Sequence, residues 1–111
     1  MYFTDLEDLL TYFRYMRLSD HALREANKES LHARDVFHAI FNGKILEHYC
    51  DRKRVLVVGP SARFDIEIHI VCDYADTEEL VAVTVYVPDR PIWINELVRS
   101  PSTSASQSNC G

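Results

Sequence analysis

The side chains best suited to chemistry occupy two segments that alternate between apolar and polar residues. Glu67 and His69 fall in the first segment, and Thr84 and Tyr86 fall in the second. An imidazole can act as a general acid or base near neutral pH, and a carboxylate can take the same role. The two hydroxyls can donate or orient a hydrogen bond. We therefore predict His69, Tyr86 and Thr84 as catalytic candidates, with Glu67 as a second candidate base.

The alternation predicts that both segments are strands of one antiparallel hairpin joined by the polar loop 74–79. We expect Ile68 opposite Val85 and His69 opposite Thr84, which places aliphatic side chains on a core face and polar ones on the other face. The predicted core face comprises Ile66, Ile68, Ile70, Cys72, Val81, Val83, Val85 and Val87. The alternative is a solvated sheet face without catalytic role, since Thr and Tyr are favoured in strands anyway.

Further candidates lie earlier in the chain. His21 follows Ser19, a good helix-capping residue, and an imidazole at a helix start could act in catalysis or contact phosphate. The alternative is a His that hydrogen-bonds to the backbone and fixes the helix. The basic turn Arg52, Lys53 and Arg54 could bind phosphate, although a solvated turn is the simpler interpretation. The His and Cys spacings match no common metal motif, so we expect neither a metal site nor a cofactor.

Composition narrows the class of protein. The chain has 111 residues, 47% hydrophobic and 26% charged, with a net charge of -5. These values fit one globular domain and disfavour a generally basic nucleic-acid binder. Residues 14–63 nevertheless carry ten basic against six acidic side chains, so they could present a local basic patch. No apolar run reaches the about 20 residues of a membrane span, and the acidic N-terminus is unlike a signal peptide. We expect a cytoplasmic protein with no membrane association.

Helical periodicity comes first along the chain and strand periodicity follows. Helices are predicted over residues 5–16, 20–28 and 33–42, and strands over residues 45–49, 55–59, 66–72 and 81–87. Ser19 should cap the second helix, and Gly43 should end the third in a conformation with positive φ. We predict an α+β fold with the helices on one face of a four-stranded antiparallel sheet. Residues 1–98 form the single domain, with 92–97 packed back onto it, and residues 99–111 form a flexible Ser-rich tail.

An ordered set of motifs resembles a small bacterial family of uncharacterised domains. The family pattern reads HA, then G-x-I-(I/L)-E-x-Y, L-V-L-G, an L-H-V-V-like strand, T-x-Y-x-P-D and a Trp. The matching positions are His21-Ala22, Gly43 to Tyr49, Leu56 to Gly59, His69, Thr84 to Asp89 and Trp93. No single motif is specific, but their order and spacing across residues 19–93 are.

That family is regarded as similar to RelE-type and MqsR-type bacterial toxins, and it often sits beside a small antitoxin-like protein with a zinc finger. The resemblance implies a curved antiparallel sheet and a metal-independent ribonuclease, in which a base removes the 2′-hydroxyl proton of RNA and the 2′-oxygen attacks phosphorus. Carried over position by position, it implies roles for His21, Tyr49, His69, Thr84 and Tyr86. Together with the basic turn, we predict His69, Tyr86, Thr84 and His21 as catalytic residues, and Arg54, Arg52, Lys53 and Tyr49 as substrate-binding residues.

The chain departs from the family pattern in charge at two positions, and Arg54-Val55 stands where the family commonly has Pro-Ser before L-V-L-G. The family usually carries basic residues four and eight positions after the HA histidine, where this chain has Glu25 and Glu29. The change of charge works against binding a phosphate backbone. The alternative function is therefore a non-catalytic RelE-like module that binds a partner or self-associates through its exposed sheet face or an edge strand. The two functions differ in whether basic residues such as Arg54 converge with His69 and Tyr86.

Overall fold

The computed structural model of the protein describes residues 3–88. In chain order the elements are α1 (Leu6–Leu10), β1 (Tyr15–Leu18), α2 (Asp20–Lys28), α3 (Ala33–Phe41), β2 (Lys44–Tyr49), a 3-10 turn (Cys50–Arg52), β3 (Arg54–Pro60), β4 (Glu67–Asp73) and β5 (Glu79–Tyr86). The strands form one mixed sheet in the order β1-β5-β4-β3-β2. None of the helices within 3–88 is long and apolar enough to cross a membrane. The predictions for residues 92–97 and for the tail 99–111 lie outside the described residues.

The fold is α+β, as predicted, but its sheet has a fifth strand. The helix predicted over residues 5–16 ends at Leu10, and Tyr15–Leu18 forms β1 instead. This strand pairs in parallel with β5, with Tyr15 opposite Glu79. The apolar spacing suits a helix, but aromatic residues favour strands and the edge of β5 offers backbone hydrogen bonds. The sheet therefore differs from the predicted four antiparallel strands by one parallel strand at its edge.

Helix α2 begins and packs as its sequence predicts. The Ser19 hydroxyl accepts a hydrogen bond from the backbone N–H of Ala22 at 3.1 Å, which caps the first turn. Ala22 and Ala26 lie one turn apart and are completely buried in the core cluster. Their small side chains let α2 approach β5 closely. The predicted bounds of this helix and its capping residue are confirmed.

The pairing of β4 with β5 differs in register from the prediction. His69 lies opposite Tyr86 rather than Thr84, and Ile70 lies opposite Val85. The displacement is two residues, which equals the period of a strand, so every side chain in this part of the hairpin keeps its predicted face. His69 and Tyr86 therefore share a face whichever of the two registers is formed.

A β-bulge at Val83 changes the core face of β5. The ladder to β4 runs through Thr84 and resumes at Ala82, which leaves Val83 as an extra residue. Leu80 and Ala82, before the bulge in the chain, and Val85, after it, are all buried in the core. The buried positions therefore change from even to odd numbers at the bulge. Val81 and Val83 are only half-buried, so their predicted place in the core is wrong. A regular alternation of Val gives no sign of an extra residue.

Helix α3 rests on β3 at two glycines of the motif pattern. A Cβ atom at Gly59 would overlap the backbone carbonyl of Ala39, and one at Gly43 would overlap the carbonyls of Ala39 and Val58. No glycine within residues 3–88 has a positive φ, so the predicted reason for Gly43 is wrong. Both glycines are required by the close approach of helix and sheet backbones.

The loop after β3 is fixed to the start of α3 by a buried carboxylate. Asp35 is completely buried and accepts hydrogen bonds from Arg63 Nη2 at 2.8 Å, the Ser61 hydroxyl at 3.0 Å and the His32 backbone N–H at 2.9 Å. Burial alone would raise the pKa of Asp35, but these hydrogen bonds and the charge of Arg63 outweigh it and hold the pKa well below its usual range.

Candidate functional site

The sheet has one face against α2 and α3 and a second face pointing away from them, here called the outer face. Because paired residues in a ladder share a face, the register sorts the outer-face side chains into three rows across the strands. The first row is Lys44, Val58, His69 and Tyr86; the second is Glu47, Leu56, Val71 and Thr84; the third is Tyr49, Arg54, Asp73, Val81 and Arg17. The predicted residues His69, Tyr86, Thr84, Tyr49 and Arg54 thus lie on one face.

His69 and Tyr86 are in direct contact. The imidazole Nδ1 lies 3.3 Å from the Tyr86 hydroxyl, and the ring centroids are 5.0 Å apart with the planes tilted by 49°. Tyr86 is 39% exposed, whereas His69 is only 7% exposed. The sequence predicts an open polar face, but the imidazole is nearly buried, and the phenol ring of Tyr86 packs against it. The hydroxyl donates to Nδ1 or accepts from it according to the His tautomer.

A second pair on the outer face joins a carboxylate to a phenol. The Tyr49 hydroxyl donates to a carboxylate oxygen of Glu47. Burial raises the pKa of Tyr49 to about 12, aided by the hydrogen bond and charge of Glu47 and by Tyr86, while Arg52 acts in the opposite direction. The register places Tyr49 in the third row and Tyr86 in the first, so the Glu47–Tyr49 pair and the His69–Tyr86 pair are separated along the strands.

Glu47 was not among the residues that sequence reasoning selected. Its signal was nevertheless present, because Glu47 and Tyr49 stand two residues apart on a strand and so share a face. Sequence reasoning also missed Lys44, which lies in the row of His69 on the same face, two strands away on β2. Both residues belong to the G-x-I-(I/L)-E-x-Y stretch of the motif pattern.

The predicted basic turn divides between two environments. Arg54 Nε lies 3.0 Å from a carboxylate oxygen of Asp73, its cross-strand neighbour. It also stands four residues along β3 from the row of His69, about 13 Å at the rise of a strand. Lys53 is exposed and has a left-handed conformation with φ of 55°, directly after the 3-10 turn. Of the three predicted cations, Arg52 alone acts on the pKa of Tyr49.

His21 stands apart from the outer-face residues. It lies on α2, where Nε2 is 3.2 Å from Glu25 Oε1 and the side chain is 60% exposed. The same oxygen of Glu25 accepts the backbone N–H of Val85 at 3.0 Å. The structure therefore brings His21 to the edge of β5 rather than to His69. Glu29, the second departure from the motif pattern, is exposed at the end of α2.

Another titratable pair lies on the helix side of the sheet. His48 Nε2 is 2.7 Å from the Tyr74 hydroxyl, and the ring of Phe3 packs on the imidazole at a centroid distance of 4.6 Å. Burial lowers the pKa of His48 and raises that of Tyr74. Within residues 3–88 no three His, Cys, Asp or Glu side chains are grouped so that they could hold a metal ion.

These features define an α+β domain with a mixed five-stranded sheet and a His–Tyr pair on the face away from its helices. The model of the DUF4258 family, a domain of unknown function, matches residues 18–87. The chain belongs to this family, and the match includes every motif position from His21 to Tyr86. Comparison with curated proteins and with solved structures yields no significant match.

Proposed function

We propose that this chain is a toxin-like, metal-independent ribonuclease with its active site on the outer face around His69 and Tyr86. The observation that carries the proposal is the contact of an imidazole with a phenol hydroxyl at 3.3 Å, on the same face as Tyr49 and Glu47. The ordered motifs add to it, because they resemble those of a domain family that is regarded as similar to RelE-type and MqsR-type toxins. By the same resemblance, the expected partners are RNA and a zinc-finger antitoxin.

The chemistry needs only protein groups. His69 takes the proton of a ribose 2′-hydroxyl, and the 2′-oxygen then forms a bond to the adjacent phosphorus. The bond from phosphorus to the 5′-oxygen breaks, and that oxygen takes a proton from the imidazolium or from the Tyr86 hydroxyl. The products are a 2′,3′-cyclic phosphate and a 5′-hydroxyl, and the proton count of the enzyme is restored when Tyr86 or His69 re-equilibrates with solvent.

Charge on the phosphorane needs a positive partner, and we propose Lys44, which shares the row of His69 two strands away, for this role. Arg52 lies nearer to Tyr49 and would contact the RNA farther along the strands. The acidic replacement Glu25 is directed at His21 and at the backbone of β5. Its carboxylate is therefore engaged on the helix side, which weakens the objection that it repels a phosphate bound on the outer face.

Access to the imidazole sets a requirement on Tyr86. His69 is 7% exposed and the phenol ring of Tyr86 packs on it, so we expect a phosphate to approach the imidazole past that ring. Tyr86 ends β5 and is 39% exposed, so its side chain can turn outward without breaking the ladder. We expect this movement on binding RNA, with the hydroxyl then donating to the phosphate or to the leaving oxygen.

The test compares wild-type protein with His69→Ala and Tyr86→Phe on an unstructured, end-labelled RNA in EDTA. His69→Ala should reduce the rate by about 100-fold or more, the usual contribution of a general acid–base group. Tyr86→Phe should reduce it less, because the ring that packs on His69 remains. His38→Ala is the matched control: its imidazole is exposed on α3 and contacts the carbonyl of Pro60, so the rate should not change.

Some toxins of this type cut RNA only on the ribosome, so the same variants are also expressed in growing bacteria. Wild type should stop translation and growth in the absence of its antitoxin, and His69→Ala should not. If wild type neither cuts RNA nor affects translation, and His69→Ala behaves identically, the ribonuclease proposal is overturned.

The second candidate is a non-catalytic module that self-associates through the outer face. Its support is electrostatic: Arg54 and Arg17 are paired at 3.0 Å with Asp73 and Glu79, which neutralises two of the cations on this face. Sedimentation of the full chain distinguishes this candidate. A dimer that dissociates in Tyr86→Ser and persists in His38→Ala would favour it, and a monomeric wild type would exclude self-association as its function.

A further inference from the structure

The strand that carries Thr84 and Tyr86 loses its neighbour partway along. Strand β1 pairs with β5 only from Glu79 to Ala82, so the following residues of β5 have an edge that no strand covers within residues 3–88. Backbone groups at such an edge require other partners. Ser19 provides the first two: its N–H donates to the Ala82 carbonyl at 2.9 Å and its hydroxyl to the Val83 carbonyl at 3.4 Å.

Glu25 provides the next partner. Its Oε1 accepts the backbone N–H of Val85 at 3.0 Å, where the next hydrogen bond of a longer β1 would otherwise fall. His21, one turn earlier on α2, holds the same oxygen at 3.2 Å. The Glu25 side chain is 26% exposed, so the bond to Val85 is partly shielded from water and is strengthened by the negative charge of its acceptor.

The position of this bond matters because of what flanks it. Val85 is 1% exposed and lies opposite Ile70, so its side chain fixes β5 from the core. Thr84 and Tyr86, on either side of it, project to the outer face. The backbone under both residues is thus held by β4 on one side and by Glu25 on the other. A displacement of about 1 Å at a catalytic group can reduce a rate by 100-fold.

We propose that Glu25, oriented by His21, is a positioning residue for the outer-face site and sets the place of Tyr86 against His69. The inference rests on the proposed function. It gives a role to Glu25, which stands where the family usually has a basic residue. A basic side chain at position 25 could not accept the N–H of Val85, because Lys and Arg carry donors only.

Nuclear magnetic resonance of the full chain tests the backbone of β5 and the side chains of the outer-face site in two separate measurements. Hydrogen exchange of the Val85 amide should accelerate about 10-fold or more in Glu25→Ala, the loss expected for a hydrogen bond to a charged acceptor. Glu25→Gln keeps an acceptor oxygen and should remain close to wild type, which is the conservative rescue. Glu29→Ala removes an exposed carboxylate from the same helix and is the matched control, with no change expected.

The second readout concerns positioning rather than folding. The pH titration of the His69 imidazole and the ring resonances of Tyr86 should shift in Glu25→Ala, shift less in His21→Ala, and stay unchanged in Glu29→Ala. In the RNA assay, kcat should fall in Glu25→Ala with little change in KM, because binding groups elsewhere on the face remain. Should Glu25→Ala fail to fold, His21→Ala becomes the perturbing variant, with the smaller shift expected, and Glu25→Gln and Glu29→Ala remain the controls.

Two results would overturn the inference. An unchanged Val85 exchange rate in Glu25→Ala would show that the bond does not hold β5. Faster exchange with unaltered His69 and Tyr86 resonances would reduce Glu25 to a cap on the sheet edge. Neither result depends on ribonuclease activity: if wild type does not cut RNA but both resonance readouts move, the positioning of Tyr86 stands and the proposed reaction falls.

Discussion

Gly59 of β3 and Ala39 of α3 meet backbone to backbone, with no room for a Cβ atom on the glycine. Gly43, at the start of the chain segment leading into β2, meets the same carbonyl of Ala39. The two glycines of the motif pattern therefore serve one contact, in which α3 lies directly on the sheet. This contact sets the height of the helix layer over β3 and β4.

Replacing Gly59 by Ala should push α3 away from the sheet. We expect a loss of about 1–3 kcal/mol in the free energy of unfolding, the usual range for overpacking, measured by urea denaturation. Thr77→Ala, in an exposed loop, is the control and should lie within about 0.5 kcal/mol of wild type. Equal stability of Gly59→Ala and wild type would mean that the helix can shift at no cost.

The buried carboxylate of Asp35 should make stability fall in acid. Its pKa in the folded protein is well below the ordinary value of 3.8, so its contribution is complete above about pH 4 and is lost as the pH falls below that value. Asp35→Asn should remove this part of the pH dependence. Asp35→Ala leaves Arg63 unpaired and should cost about 3–5 kcal/mol, measured by urea denaturation at pH 7.

Asp65→Asn, an exposed carboxylate in the same loop, is the control for the acid titration. Its denaturation profile between pH 2 and 6 should follow that of wild type. A profile of Asp35→Asn that keeps the full acid dependence would contradict the assigned pKa direction.

Val83 and Val85 would be equally buried in a regular strand. Because of the bulge in β5, we expect them to contribute unequally to the free energy of unfolding. Val85→Ala should cost about 1.5–3 kcal/mol, because the side chain is buried and leaves a cavity. Val83→Ala should cost less than about 1 kcal/mol, because Val83 is the extra residue and is only half-buried. Urea denaturation of both variants gives the comparison, and similar losses would argue for an unbroken register.

Glu47 should control the ionisation of Tyr49. Burial is the largest cause of the raised pKa of about 12, and the hydrogen bond and charge of Glu47 come next. Glu47→Gln should therefore lower the pKa of Tyr49 without returning it to the ordinary value of 10.0. Ring-labelled tyrosine followed by nuclear magnetic resonance resolves this phenol from the others. Glu67→Gln is the control carboxylate and should leave the Tyr49 titration in place.

Elements of this fold that depend on neighbouring residues can be predicted from the sequence. Elements that depend on residues far along the chain cannot. Helix α2 is predictable because Ser19 and the spacing of Ala22 and Ala26 are signals within ten residues of each other. Strand β1 is not, because its partner is β5 and the stretch around Phe13 and Met16 also has helical spacing. The bulge at Val83 leaves no trace in an alternating run of valines.

The candidate site shows the same division. The common face of His69 and Tyr86 follows from a period of two, and it survives a register error of two residues. The partners of Arg54 and His21 do not follow, because each depends on which strand or helix turn lies alongside. Glu47 could have been chosen beside Tyr49 from spacing alone. The catalytic roles themselves stay predictions.

The parallel pairing of β1 with β5 has a consequence for biosynthesis. The ion pair between Arg17 and Glu79 spans 62 residues. It joins β1 and β5, which are neighbours in the sheet but are the first and the last described strands in chain order. During translation β1 therefore leaves the ribosome long before its partner does. Folding of this domain cannot proceed vectorially from the N-terminus; the sheet closes in a late, high-contact-order step. Until then β1 is unpaired, and together with Tyr12 and Phe13 just before it, it offers an apolar segment that a chaperone can recognise.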